Sequence, residues 1–172
     1  MTTINSNGGT IFLREESGNI EYKINEGSYI SITSWPVTIV NTNPGSSNVT
    51  TVQLTENMTL SNTTGGTGSS GTDVYFICGS EYITFDGQSY NVTIKDISNW
   101  LGVIENGRGN TDTITQTGFS NIIIKNINIL SDNSSMSPDA STVDSGGWLC
   151  RSHYGNSITE GSLTIEKCTS NG

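Results

Sequence analysis

Charge is scarce in this 172-residue chain, and positive charge scarcest: seven Lys and Arg stand against sixteen Asp and Glu, a net charge of −9. No stretch gathers the basic residues into a patch. That argues against nucleic acid, whose affinity comes mostly from phosphate neutralisation, and against an anionic membrane surface. No apolar run approaches the roughly 20 residues of a bilayer-spanning helix, so no membrane insertion is expected. The N-terminus, Met1-Thr2-Thr3-Ile4-Asn5, has neither the basic nor the apolar region of a secretory leader. It fits either a cytosolic product or a chain whose leader has been removed. Cysteine is nearly lacking as well. Cys78, Cys150 and Cys168 are odd in number and show no C-x-x-C, which excludes an all-disulfide framework. Cys150 and Cys168 are close to one solenoid coil apart and could stack, pair or remain two buried thiols.

Strong helix formers are also few. Their place is taken by 24 Ser, 24 Thr, 19 Asn and 20 Gly, half of the chain. These residues bond to or bend the local backbone and favour strands and turns. The apolar residues fall into short period-two or β-branched runs, which argues against disorder of the whole chain. Such runs recur from Ile11-Phe12-Leu13 to Leu163 to Cys168, separated by turn signals such as Asn43-Pro44-Gly45, Asp86-Gly87 and Asn106-Gly107. No window keeps apolar residues at helical spacing for three turns, so no helix longer than about two turns is expected. Five N-glycosylation sequons, at Asn48, Asn57, Asn62, Asn91 and Asn133, are about what this composition produces by chance.

Two all-β architectures fit: an antiparallel β-sandwich or jelly roll, and a right-handed parallel β-helix. Repetition favours the β-helix. Strands at Val37, Met58, Ile83 and Val103 begin about 20 to 25 residues apart, as successive solenoid coils would. Segments 91–97, 121–127 and 162–168 share alternating apolar positions, then a Lys-polar or Glu-Lys step, then a last apolar residue or Cys. A second element repeats at Trp100 to Gly107 and Gly147 to Ser152. Residues 65–72 and 131–145 read as loops inserted between coils. The expected organisation is an N-terminal cap over residues 1–35 and β-helix coils over 36–172. The chain stops just after a repeat-like strand, so the coils are expected to continue in a longer native chain.

The stretch from Gly79 to Gly87, Val92-Thr93-Ile94, Leu101 to Gly107, Gly146 to Cys150 and Gly161 to Gly172 together resemble the large, repetitive pectate-lyase-like β-helix proteins of giant DNA viruses. Similar repeats occur in bacterial surface proteins. The resemblance covers roughly residues 36–172. It implies a virion-surface or virion-associated, fibre-like structural protein that contacts host glycans. The implied partners are other virion proteins or host surface glycans, with room for a homo-oligomer. An extracellular or cell-surface protein is the alternative.

The same fold carries polysaccharide lyases and glycoside hydrolases, the alternative function. Hydrolysis of a glycosidic bond wants two carboxylates about 5 to 10 Å apart. Asp86, Asp96, Glu105 and Glu166 are near strands, but their sequence positions do not align. Asn110-Thr111-Asp112 copies part of a polygalacturonase pattern without its companions, so no catalytic residue is assigned. The single histidine, His153, follows Cys150 at C-x-x-H spacing, yet a zinc site needs two further ligands and only Cys168 is at hand. Asp132, Asp139 and Asp144 lack calcium-loop spacing. No metal or other cofactor is expected. Aromatics carry the better binding argument: Trp100 and Trp148 read as core, whereas Tyr90, Tyr154 and Trp35 are the candidate glycan-binding residues.

Overall fold

A computed structural model describes residues 1–64, 74–98, 100–107, 118–134, 147–151 and 163–171. Among them the chain forms fifteen strands and no helix. The first coil holds β1 (Thr2–Ser6) and β2 (Gly9–Glu16), from which a hairpin departs as β3 (Asn19–Ile24) and β4 (Ile30–Ser31). The second holds β5 (Val37–Asn41), β6 (Thr50–Leu54) and β7 (Met58–Ser61), and the third β8 (Phe76–Cys78), β9 (Ile83–Asp86) and β10 (Asn91–Lys95). β11 (Ile104–Asn106), β12 (Ile122–Lys125) and β13 (Asn128–Asp132) follow, then β14 (Leu163–Glu166) and β15 (Thr169–Asn171).

These strands stack into three sheets, ordered β1-β5-β8-β11, β4-β3-β2-β6-β9-β12-β14 and β7-β10-β13-β15. Every pairing in the stack is parallel; only the hairpin β2-β3-β4 is antiparallel. The chain is thus a parallel β-helix, and the antiparallel sandwich is set aside.

One expected register changes. Val37 stacks on Phe76, Phe76 on Ile104 and Ile104 on Cys150, so one coil takes about 30 to 45 residues rather than 20 to 25. Val37, Met58 and Ile83 belong to three different sheets. Their spacing measured passage from face to face. All three faces present similar β-branched strands, so composition does not tell them apart. The described parts of segments 121–127 and 162–168 do stack, with Ile122 to Lys125 on Leu163 to Glu166. Residues 91–95 instead lie in the third sheet, on Asn128 to Asp132.

The shared Lys-polar step has a common cause. Asp96, Asn126 and Lys167, the polar residues of that step, have φ of 53°, 54° and 51°. Tyr82 and Asn121, just before β9 and β12, and Asn133, just after β13, lie at 55°, 58° and 57°. Each is a left-handed corner where the coil turns from one sheet to the next, a conformation that Asn and Asp tolerate better than most residues. Between corners, alternate side chains point inward and stack in columns such as Ile11-Val52-Phe85-Ile124. Ile11, Ile39, Ile83, Ile94, Ile122 and Ile124 are completely buried, each contributing about 2–3 kcal/mol of apolar burial.

The first coil is closed above. Ile20 and Ile32, carried by the hairpin, are buried over the core. The free edge of the third sheet is closed by side chains. Glu15 accepts the Thr59 N–H at 2.6 Å, and Thr64 Oγ1 accepts the Ser61 N–H at 2.9 Å. Such contacts remove backbone groups from edge-to-edge pairing. At the other end Ile165 continues the Ile124 column but is 50% exposed. The loop expected from Ser131 begins later, because β13 runs to Asp132. Residues 135–145 and the Gly-rich 65–72 lie outside the described residues.

Asn133 is exposed as well as left-handed, so it isolates the corner effect. Asn133→Gly should leave the urea midpoint nearly unchanged. Asn133→Val should lower stability by about 1–2 kcal/mol through the clash of its branched Cβ in that conformation. Equal stability of the two variants would show that the corner conformation carries no such cost.

Candidate functional site

Parallel stacking turns each outward strand position into a row across the second sheet. The register places Lys23, Phe12, Gln53, Asp86, Lys125 and Glu166 in one such row, with about 4.8 Å from one strand to the next. Alternation explains why Phe12 is there: Ile11 and Leu13 point into the core and are fully buried, which leaves Phe12 on the outer face.

The connection from β9 to β10 adds the other side of the site. Gly87 and Ser89 donate their N–H groups to the Lys125 and Asn126 carbonyls at 2.9 Å, and Tyr90 N–H returns to the Gly87 carbonyl at 2.8 Å. Gln88 and Ser89 both adopt positive φ, 53° and 66°. Between β12 and β13 only Asn126 and Ile127 make the same passage. The longer turn carries Gln88 and Tyr90 to the outside. Gly87 permits this because a Cβ there would stand 2.4 Å from the Asn126 carbonyl oxygen.

Together Phe12, Gln53, Leu54, Thr55, Gln88 and Tyr90 line an open groove of about 320 Å³. Two aromatic rings give it apolar surface, and two primary amides give it paired donors and acceptors. Beside it, the hairpin stacks cations on rings. The Arg14 guanidinium lies 3.9 Å from the Tyr29 ring and is bound by Glu21 at 2.7 and 2.9 Å; Lys23 Nζ lies 5.0 Å from the Phe12 ring and 5.3 Å from Tyr29.

Of the three expected glycan-binding residues, Tyr90 lines this groove and is 36% exposed. Trp35 is elsewhere, half-buried just ahead of β5, with its ring edge-on to Phe76 at 5.2 Å. The fold does not bring the two together. Tyr154 lies outside the described residues, as do Asp112, Asp139, Asp144 and His153. Trp100 is completely buried and donates its indole N–H to the Trp148 carbonyl at 3.1 Å. Phe12, Gln53 and Gln88 were missed. The first had a signal, since period two with Ile11 and Leu13 inward puts Phe12 outside. Gln53 and Gln88 had none.

The carboxylates align better than their sequence positions suggested. Asp86 and Glu166 share the outward row with Lys125 between them, roughly 10 Å apart along the sheet. Asp86, however, is already engaged: Oδ1 accepts from the Asn126 amide at 2.9 Å and from Gln88 N–H at 3.0 Å, and Oδ2 faces Lys125 at 3.4 Å. Burial pushes its pKa up, but these three partners outweigh that and hold the carboxyl below its ordinary value. Glu105 lies 3.6 Å from Arg151, whose guanidinium covers the Tyr75 ring at 3.7 Å; both charged side chains are largely buried. Among the described residues, the open groove is lined by neither acid-base pair. Among the described residues no three His, Cys, Asp or Glu side chains could hold a metal ion. The cysteines are free thiols whose pKa values burial pushes up, that of Cys150 to about 12. No protein-family model, curated protein or solved structure matches the chain.

Two outcomes follow from these environments. A carboxyl held low in the folded state stabilises the fold above its ordinary pKa of 3.8, and that stability is lost as pH falls through the lower folded value. Urea midpoints at pH 6 and pH 2.5 should therefore fall further for the wild type than for Asp86→Asn; equal falls would show that the corner contributes nothing to acid sensitivity. Alkylation of the folded protein at pH 8 should label Cys168 first and Cys78 only after denaturant is added, as read by mass spectrometry.

Proposed function

We propose that this β-helix is a saccharide-recognition scaffold. It acts as a virion-surface or virion-associated structural and adhesion module whose partners are host glycans and other virion proteins. One observation carries the recognition part: Phe12, Tyr90 and the amides of Gln53 and Gln88 line one open groove on the outer face of the second sheet. Sugar rings offer apolar C–H faces to aromatic rings, and hydroxyls that both donate to and accept from an amide. A parallel ladder holds these groups at fixed spacing, so little ordering entropy opposes binding. The virion part rests on the resemblance of the repeat segments and on the repetitive stacked architecture, which suits a fibre-like component. Binding of this kind needs no metal or cofactor.

Polysaccharide hydrolysis is the second reading, favoured by Asp86 and Glu166 sharing one row. It is the weaker of the two. Asp86 is committed on both oxygens, Oδ1 to the Gln88 N–H and the Asn126 amide and Oδ2 to Lys125, and an acid so held low is a poor proton donor near neutral pH.

A broad panel of oligosaccharides should include ligands retained by the wild-type protein. Tyr90→Ala and Phe12→Ala should each weaken them about three- to tenfold, the loss of one ring contact, with an unchanged melting temperature. Retention of no saccharide, or wild-type affinity in both variants, would remove the groove from this role. Release of reducing ends without loss of activity in Tyr90→Ala would favour the hydrolase.

A further inference from the structure

The hairpin places one cation at the end of the groove without giving it a counter-ion. Arg14 is bound by Glu21, Lys95 lies 3.7 Å from Asp132, Lys125 lies 3.4 Å from Asp86, and Arg151 lies 3.6 Å from Glu105. Lys23 has no carboxylate within ion-pair distance among the described residues; it is held by the faces of Phe12 and Tyr29. Ring faces fix an ammonium in position while leaving its charge unneutralised. The nearest acid on the same strand and face, Glu21, is taken by Arg14 and Ser31. Among the described residues Lys167 also lacks a carboxylate partner, but of the two it is Lys23 that ring faces hold in place, a positioned positive charge in a protein of net charge −9. Its place is also specific. Lys23 pairs directly with Phe12 and so extends the row Phe12-Gln53 by one strand, about 5 Å, a step comparable to one pyranose unit.

We infer that the groove takes an anionic saccharide lying along the solenoid axis. Its neutral units rest on Tyr90, Gln88, Gln53 and Phe12, and a carboxylate or sulfate on the next unit meets Lys23 Nζ. This rests on the saccharide-binding reading above and adds the charge and direction of the ligand. The ammonium supplies a charge-assisted contact that a neutral sugar cannot use.

The test compares matched neutral, carboxylated and sulfated trisaccharides by titration calorimetry on the full chain, for the wild type, Lys23→Gln and Lys23→Arg. The wild type should bind at least one acidic form about five- to tenfold more tightly than the neutral one, as expected for one charge-assisted contact. Added salt should narrow the gap. Lys23→Gln should lose that preference while keeping the affinity for the neutral form, and Lys23→Arg should retain it. Which acidic form is preferred distinguishes carboxylate from sulfate. Equal binding of neutral and acidic forms by the wild type, or a preference that survives in Lys23→Gln, overturns the anionic ligand and leaves saccharide recognition standing. Binding of no member of the set overturns both.

Discussion

The outward row of the second sheet takes its position from the backbone ladder, parallel through Phe12, Gln53 and Asp86 and antiparallel from Phe12 to Lys23. The ladder sets a step of about 4.8 Å between strands and aligns residues far apart in sequence. Lys23, Phe12, Gln53 and Asp86 form a row for no reason of their own chemistry; they follow from Ile11, Val52 and Phe85 stacking inward beside them. A shift by one residue in any strand would bury the row and expose the core, so apolar burial is what holds the register. The strand side of the groove, Phe12 and Gln53, is thus fixed by the core behind it.

The two ion pairs of lowest exposure serve this arrangement in different ways. Asp86 and Lys125 tie a strand end to the neighbouring coil, and through Gln88 N–H the same carboxylate pins the turn that carries Tyr90. Glu105 and Arg151 lie on the outer side of the first sheet, with Arg151 against Tyr75. Buried pairs of this kind contribute little net stability, but leaving one member alone is costly. Their effect is to penalise any misplacement of the segments they join.

The architecture was legible in the sequence because its causes are local. Alternating apolar residues, turn dipeptides and the Lys-polar step all have direct structural counterparts, the last in the left-handed corners at Asp96, Asn126 and Lys167. The register was not legible. Trp100 to Gly107 stacks on Gly147 to Arg151 as its likeness suggests, yet Ile104 meets Cys150, two positions away from the match made by aligning the tryptophans. The site was half legible. Tyr90 stood out as an aromatic among polar residues, whereas Gln53 joins it only through pairing between strands more than thirty residues apart, and Gln88, two residues before Tyr90, carried no signal of its own. Asp86 and Glu166 looked unrelated for the same reason: coils of unequal length hide a common row.

That inequality has a consequence for how such a protein can change. The passage from Phe76 to Ile104 is much shorter than that from Ile104 to Cys150, yet all three residues stack. Because the stack counts strands and ignores the length of chain between them, residues can be gained or lost at a corner without moving any face. The two extra residues between β9 and β10 that present Gln88 and Tyr90 are one instance. Recognition can thus be altered by local insertion, one turn at a time, while the scaffold that aims it is inherited intact.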